Sequence, residues 1–236
     1  MATLRPYVAD IVGASGRQAS IPFVANTWKR WLKGFGWDEP LITRLLDTFG
    51  DDCVSRRGLA TIASSAHDAE GRLILLTATM IWGRGKKNAR MKNSFEKLLR
   101  PGDEHVAEVL ETTQNACASG RLAGAYLSAR ALPGIREPFF TKWLWASTLG
   151  NDSVALRPLV LDRLVWFSIR EVVMWNSVEA SGSRRLADRY EAFVVAAHRW
   201  AEALSAEDQL INAEDIECIL FELGKHKGDW SKLSQP

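Results

Sequence analysis

A chain of 236 residues with 47% hydrophobic and 25% charged positions can bury a sizeable core as one domain or two packed lobes, and this composition argues against a disordered chain and against a membrane protein. A net charge of +2 excludes binding through bulk charge, so any basic surface must be local. The longest apolar run, Leu73 to Trp82, is too short to span a bilayer, and Arg5 and Asp10 interrupt the apolar core that a signal peptide needs, so the expected location is cytoplasmic.

Helical periodicity dominates the chain. Asp38 and Pro40 open a short helix, LITRLLDTF, that Gly50 closes. Asp68 caps a second, running through LILLTATMIW to Gly83. Pro101 separates the basic amphipathic stretch NARMKNSFEKLLR from the acidic DEHVAEVLETT. A helix over 121–130 precedes the turn Leu132-Pro133-Gly134-Ile135, and Pro138 suits the first position of the next helix. Asp162 caps a helix to Val173, a long amphipathic one spans 184–204, and Asn212 with Asp215 caps a last one that Gly224 ends. This makes about ten helices and no convincing strand, hence an all-α fold.

Several chemistries are absent from the pattern. Cys53, Cys117 and Cys218 are odd in number and far apart, as expected of reduced, buried thiols rather than a disulfide framework or a paired zinc site. His67, His105, His198 and His226 lack the spacing of a helical metal site, so neither metal nor cofactor is expected. No G-x-S-x-G elbow, Walker A loop, strand-linked G-x-G-x-x-G or H-E-x-x-H is present.

What remains is concentrated in a few places. Between Trp82 and Phe95 stand Arg84, Lys86, Lys87, Arg90 and Lys92 with no acidic residue among them. Such a cluster can neutralise phosphates, and Trp82 offers a flat face to a base, although a solvated helix face has the same pattern. Lys142 falls just after the first turn of its helix, on the inward stripe of Phe139, Trp143 and Ala146. Burial and the positive helix N-terminus both favour its neutral, nucleophilic form; a snorkelling lysine is the bland alternative. Asp162, fixed at a helix start after the apolar run Pro158 to Leu161, is an N-cap whose carboxylate is also well held for catalysis.

The order L-P-G-I, then Thr141-Lys142 at a helix start, then an apolar run ending in Asp162 resembles the helix-hairpin-helix DNA glycosylases, in particular the 8-oxoguanine DNA glycosylase type. The likeness is best over 131–170; Trp82-Gly83-x-Gly85 and Ile216-Glu-x-x-Leu-Phe221 add to it. The resemblance implies a single glycosylase-like domain over 1–236, two-lobed, with a cleft between the lobes and a helix-hairpin-helix core at about 121–177. It implies a nucleoid-associated enzyme that acts on double-stranded DNA without an obligate protein partner. By position, Lys142 matches the nucleophile that attacks the sugar C1′ and Asp162 the assisting acid. Gly134 and Arg136 lie in the phosphate-holding hairpin, and Trp82, Phe140, Trp143 and Trp166 are the candidates for stacking a flipped base.

One departure stands out: the second hairpin glycine is missing, and 136–140 lengthen the link from Gly134 to Thr141. Such a change is compatible with an unusual substrate, including a hypermodified base of phage DNA and thus a defence role. A third reading is a non-catalytic helical module that binds DNA through Arg84 to Lys92.

Overall fold

The computed structural model describes residues 3–50, 52–86 and 92–233. In chain order its α-helices are α1 (Val8–Ile11), α2 (Ala14–Arg17), α3 (Ala25–Gly34), α4 (Glu39–Asp47), α5 (Arg56–Ala63), α6 (Ala69–Arg84) and α7 (Lys92–Leu98). They continue as α8 (Glu104–Ala118), α9 (Leu122–Ala129), α10 (Glu137–Ala146), α11 (Arg163–Phe167), α12 (Ser177–Ser181), α13 (Leu186–Leu204) and α14 (Ala213–Lys225). The fold is all-α. The fourteen helices of the described residues exceed the ten expected because short ones such as α1, α2 and α12 leave no periodicity to read. A two-residue antiparallel ribbon, Ile21–Pro22 against Cys53–Val54, is likewise too short to alternate.

Local chemistry sets the helix starts. The side chains of Asp38, Asp68, Asp103 and Asn212 each accept a hydrogen bond from the amide three residues on, at 2.9, 2.7, 3.0 and 2.9 Å. These bonds satisfy amides that no helical carbonyl can reach.

The helices sort into two compact units, residues 19–155 and residues 3–18 with 156–233. In the first, α6 is buried along its whole length from Gly71 to Trp82, and α5, α8 and α10 pack against it. A helix apolar on every face is stable only when enclosed in this way. Trp28, Trp143, Trp145 and Tyr126 are fully buried in this unit, and seven of the ten tryptophans of the chain are buried altogether, so most of them fill the core.

In the second unit α14 is central, with α2, α11 and α13 packed on it. A Cβ on Gly224 would lie 2.4 Å from the Leu164 carbonyl oxygen, so the glycine permits close approach of α11. Gly224 therefore stands inside α14 rather than ending it, a correction to the sequence expectation; the backbone turns left-handed only at Lys227 and Gly228. The expected helix to Val173 also changes character, widening into a π turn over Ser168–Val172. There the Ser168 hydroxyl donates to the Leu220 carbonyl at 2.6 Å.

Asp215 is almost fully buried and accepts three hydrogen bonds: from the Ser15 amide at 2.8 Å, the Ser15 hydroxyl at 2.7 Å and the Asn212 amide at 3.1 Å. Asp215→Ala would strand all three donors. The expected loss is roughly 3 kcal/mol of stability, read as a lower urea midpoint.

Cys117 and Cys218 are buried as expected, whereas Cys53, at the edge of the short ribbon, is only partly covered. Burial pushes the Cys117 thiol up to about 12, so it stays protonated and inert at neutral pH; a hydrogen bond with Ser147 opposes that shift only in part.

Candidate active site

The turn between α9 and α10 carries the hairpin residues. Leu132 and Ile135 are buried anchors, while Gly134, at φ +74°, takes a conformation that disfavours any side chain. A Cβ there would also meet the backbone and side chain of Ser94 at 3.0–3.3 Å. The backbone amides of Gly134, Ile135 and Arg136 donate to no acceptor among the described residues, so three consecutive N–H groups stand beside the start of α10. Such an arrangement suits an anion. Tyr126 of α9 donates its hydroxyl to Glu137 and packs edge-on to Phe140, ring centroids 4.9 Å apart, which ties α9 to the first turn of α10. Residues 137–140 thus form that first helical turn rather than a longer loop.

Lys142 follows on the same helix and is partly buried. Its Nζ donates to the Pro138 carbonyl at 3.1 Å and lies 5.6 Å from the centroid of the Trp82 ring. Across from it, α6 presents Gly83, where a Cβ would stand 3.1 Å from Lys142 Cδ and 3.0 Å from Phe139 Cε1. The missing side chain is what makes room for the lysine stem. Gly85, at φ +53° and tight against Ile21, serves a different purpose, the turn that ends α6.

Around this contact the structure gathers further charge. Arg84 holds its guanidinium 5.9 Å from the Phe139 ring, and its buried Nε has no hydrogen-bond partner among the described residues. Arg56, at the start of α5, lies 4.5 Å from the Trp145 ring and 5.4 Å from Trp82, whose two indoles are themselves 5.3 Å apart. Lys86 and Lys92 are exposed, while Lys87 and Arg90 lie outside the described residues. Arg136 is exposed at the hairpin.

The sequence expectation for the aromatic residues needs correction at two positions. Trp143 is fully buried, its indole N–H donating to Thr113 Oγ1 at 2.7 Å, and Phe140 is enclosed against Tyr126; both are core side chains with no free face for a base. Trp82 is also buried, with its ring flanked by Lys142, Arg56 and Trp145.

Asp162 belongs to the other unit. It caps α11 by accepting from the Leu164 and Val165 amides at 2.8 and 3.1 Å, both on Oδ1; Oδ2 accepts no hydrogen bond among the described residues. The preceding Leu159, Val160 and Leu161 are buried, and Tyr190 of α13 donates to the Leu159 carbonyl at 2.9 Å, so the carboxylate sits on a tethered backbone. One turn on, the Trp166 ring is covered by Arg189 at 4.9 Å, whose Nε donates to Ser177 Oγ at 2.9 Å.

Residues 14–221 match the protein family described as "Putative 8-oxoguanine DNA glycosylase OGG-like protein". The chain belongs to this OGG-like family. The match includes Lys142, Asp162, the hairpin and the Trp82-Gly83-x-Gly85 segment, and the family implies a DNA glycosylase-like function with DNA as the substrate. Neither the curated proteins nor the solved structures give a significant match.

Within this OGG-like chain, sequence reading missed Arg56, Tyr126 and Arg189. One signal was available for Arg56. Arg56 and Arg57 open α5 directly after its Ser55 cap, where the helix dipole disfavours positive charge.

The geometry at Gly83 yields a measurable expectation. In Gly83→Ala the gain in helix propensity, ~0.5–1 kcal/mol, offsets the tight contact, so the melting temperature is expected to move by less than about 4 °C. The lysine stem must shift by a few tenths of an ångström. Since about 1 Å of misplacement can cost 100-fold, single-turnover base release should fall by roughly two- to fivefold, with DNA affinity unchanged.

Proposed function

We propose that the protein is a DNA glycosylase that removes a damaged or modified base from duplex DNA, with Lys142 as nucleophile and Asp162 as the assisting carboxylate. The observation that carries this reading is the seat of Lys142 in the OGG-like chain, a lysine held between its own helix turn and an aromatic face rather than extended into solvent.

Cleavage of the N-glycosidic bond builds positive charge on the sugar. An ionised carboxylate facing C1′ stabilises that charge, and Oδ2 of Asp162 is suited to this because capping occupies only Oδ1. The Lys142 amine, once deprotonated, adds its lone pair to C1′ while the base departs with the bonding electrons and takes up a proton. The nitrogen then gives up a proton and its lone pair forms C=N as the C1′–O4′ bond breaks, with the proton taken up by O4′; loss of a C2′ proton from this Schiff base can then expel the 3′ phosphate and break the 3′ C–O bond as a second step. The hairpin amides of Gly134 to Arg136, with Arg136 and the exposed Lys86 and Lys92, are assigned to the phosphates.

The test is mass spectrometry of bases released from oxidised duplex DNA and, in parallel, from hypermodified phage DNA. Release from either supports glycosylase chemistry, and the substrate that reacts separates repair from defence. Salt-sensitive binding with no base released from any substrate would overturn the reading and favour a non-catalytic DNA-binding module.

A further inference from the structure

We propose that the open face of α13 pairs with the same face of a second copy of this chain, the two helices running antiparallel about a two-fold axis between residues 193 and 194. The surface involves neither Lys142 nor Asp162, and the inference is independent of the glycosylase reading.

With about 3.6 residues per turn, Asp188, Ala192, Val195, Ala196 and Arg199 fall on one face of α13, and Glu191 and Glu202 lie at its edge. Ala192, Val195 and Ala196 are short and only half-buried, and they line a groove of about 640 Å³ together with Trp175 and Ala180. Trp175 is braced edge-on by Trp200, ring centroids 5.7 Å apart, so the groove has a firm wall. The residue before it, Met174, is 82% exposed at φ +55°, a large apolar side chain in a backbone conformation it rarely adopts. Apolar surface left open beside a strained residue marks an interaction site.

The charges at the two ends of this face say what covers it. Arg185, Asp188 and Glu191 precede the apolar centre, and Arg199 and Glu202 follow it. Against an antiparallel second copy in one register, Arg185 meets the partner's Glu202, Asp188 meets the partner's Arg199, and Ala192 meets the partner's Val195. The two-fold axis repeats each of these pairs, so the face is complementary to itself. A parallel pairing would instead set Asp188 against Asp188 and Arg199 against Arg199, which costs affinity. The mixture of signs also makes the face unsuited to a DNA backbone.

These charges are available to a partner. Among the described residues the side chains of Glu191, Arg199 and Glu202 form no hydrogen bond or ion pair, and Arg185 reaches Asp188 only at 3.8 Å. The Ser183 hydroxyl donates to Asp188 Oδ2 at 2.6 Å, which orients the carboxylate, while Oδ1 accepts no hydrogen bond among the described residues. Short side chains at the centre let two helix backbones approach closely, and the flanking charges fix direction and register.

The experiment is sedimentation equilibrium of the intact, DNA-free protein over a dilution series from about 1 μM to about 1 mM. A reversible monomer–dimer equilibrium is expected, weakened by added salt. Asp188→Arg and Arg199→Glu each replace two complementary pairs by two like-charge pairs, and each alone should weaken the dimer by roughly tenfold or more. Mixed in equal amounts, the two variants should form a heterodimer, because both of its pairs are again of opposite sign. Arg185→Glu and Glu202→Arg, at exposed positions, are the second set should Asp188→Arg not fold.

A chain that stays monomeric at every concentration overturns the proposal. So does a dimer that neither folded variant weakens, and so does a weakening that mixing fails to reverse.

Discussion

Asp162→Asn is expected to lower base release by roughly 10²–10³-fold while leaving the fold and DNA binding intact. The substitution separates the two roles of this residue. As a helix cap, asparagine is as good as aspartate, and its side-chain oxygen can accept from the Leu164 and Val165 amides just as Oδ1 does now. Stability should therefore change by less than about 0.5 kcal/mol. What asparagine lacks is the negative charge that would face the sugar as the glycosidic bond breaks. Asp162→Ala provides the complement: it removes charge and cap together and should cost about 1 kcal/mol of stability in addition to activity. Single-turnover base release beside thermal melting reads both. Wild-type release by a well-folded Asp162→Asn protein would show that the carboxylate is a cap and nothing more.

The second large effect concerns covalent chemistry. Borohydride added during turnover is expected to trap wild-type protein on DNA as a reduced Schiff base, and Lys142→Gln should abolish that species. Base release should fall by roughly 10³-fold or more if the lysine is the attacking group. The stability cost should be small. Lys142 contributes one hydrogen bond to the Pro138 carbonyl and a cation–π contact of about 0.5–1 kcal/mol, and glutamine can retain the former. Loss of the adduct with base release preserved would assign the chemistry to water and make the enzyme a simple hydrolase. Trapping that persists in Lys142→Gln would place the nucleophile on another residue.

The sequence was legible wherever the governing interaction spans a single turn. A cap couples a side chain to an amide three residues away, so Asp38, Asp68, Asp162 and Asn212 mark their helix starts without any knowledge of the partners. The all-α class followed from periodicity, and the OGG-like family from the hairpin, lysine and aspartate order together with their neighbours. Of the three described residues of the basic patch, Lys86 and Lys92 are exposed, while Arg84 turns inward toward Phe139.

Packing was not legible, because composition does not tell which face of a helix meets another. Phe140 and Trp143 stand on the same helix as Lys142, yet α8 and α9 enclose them while α6 leaves the lysine partly open. The glycine at 224 is indistinguishable in sequence from a terminator; only the approach of Leu164 shows that it serves contact between helices. Arg56 lies 86 residues from Lys142, and no local rule joins them.

By itself, then, the sequence determined that this chain forms capped helices, belongs with the OGG-like family, and carries a lysine and an aspartate near helix starts. Tertiary structure alone decided that Gly83 opens the space for the Lys142 stem, that Trp82 supports two cations, and that two of the expected stacking residues are core. The physical reason is range: capping and periodicity act within a few residues, whereas desolvation and aromatic contact depend on groups that only folding brings together.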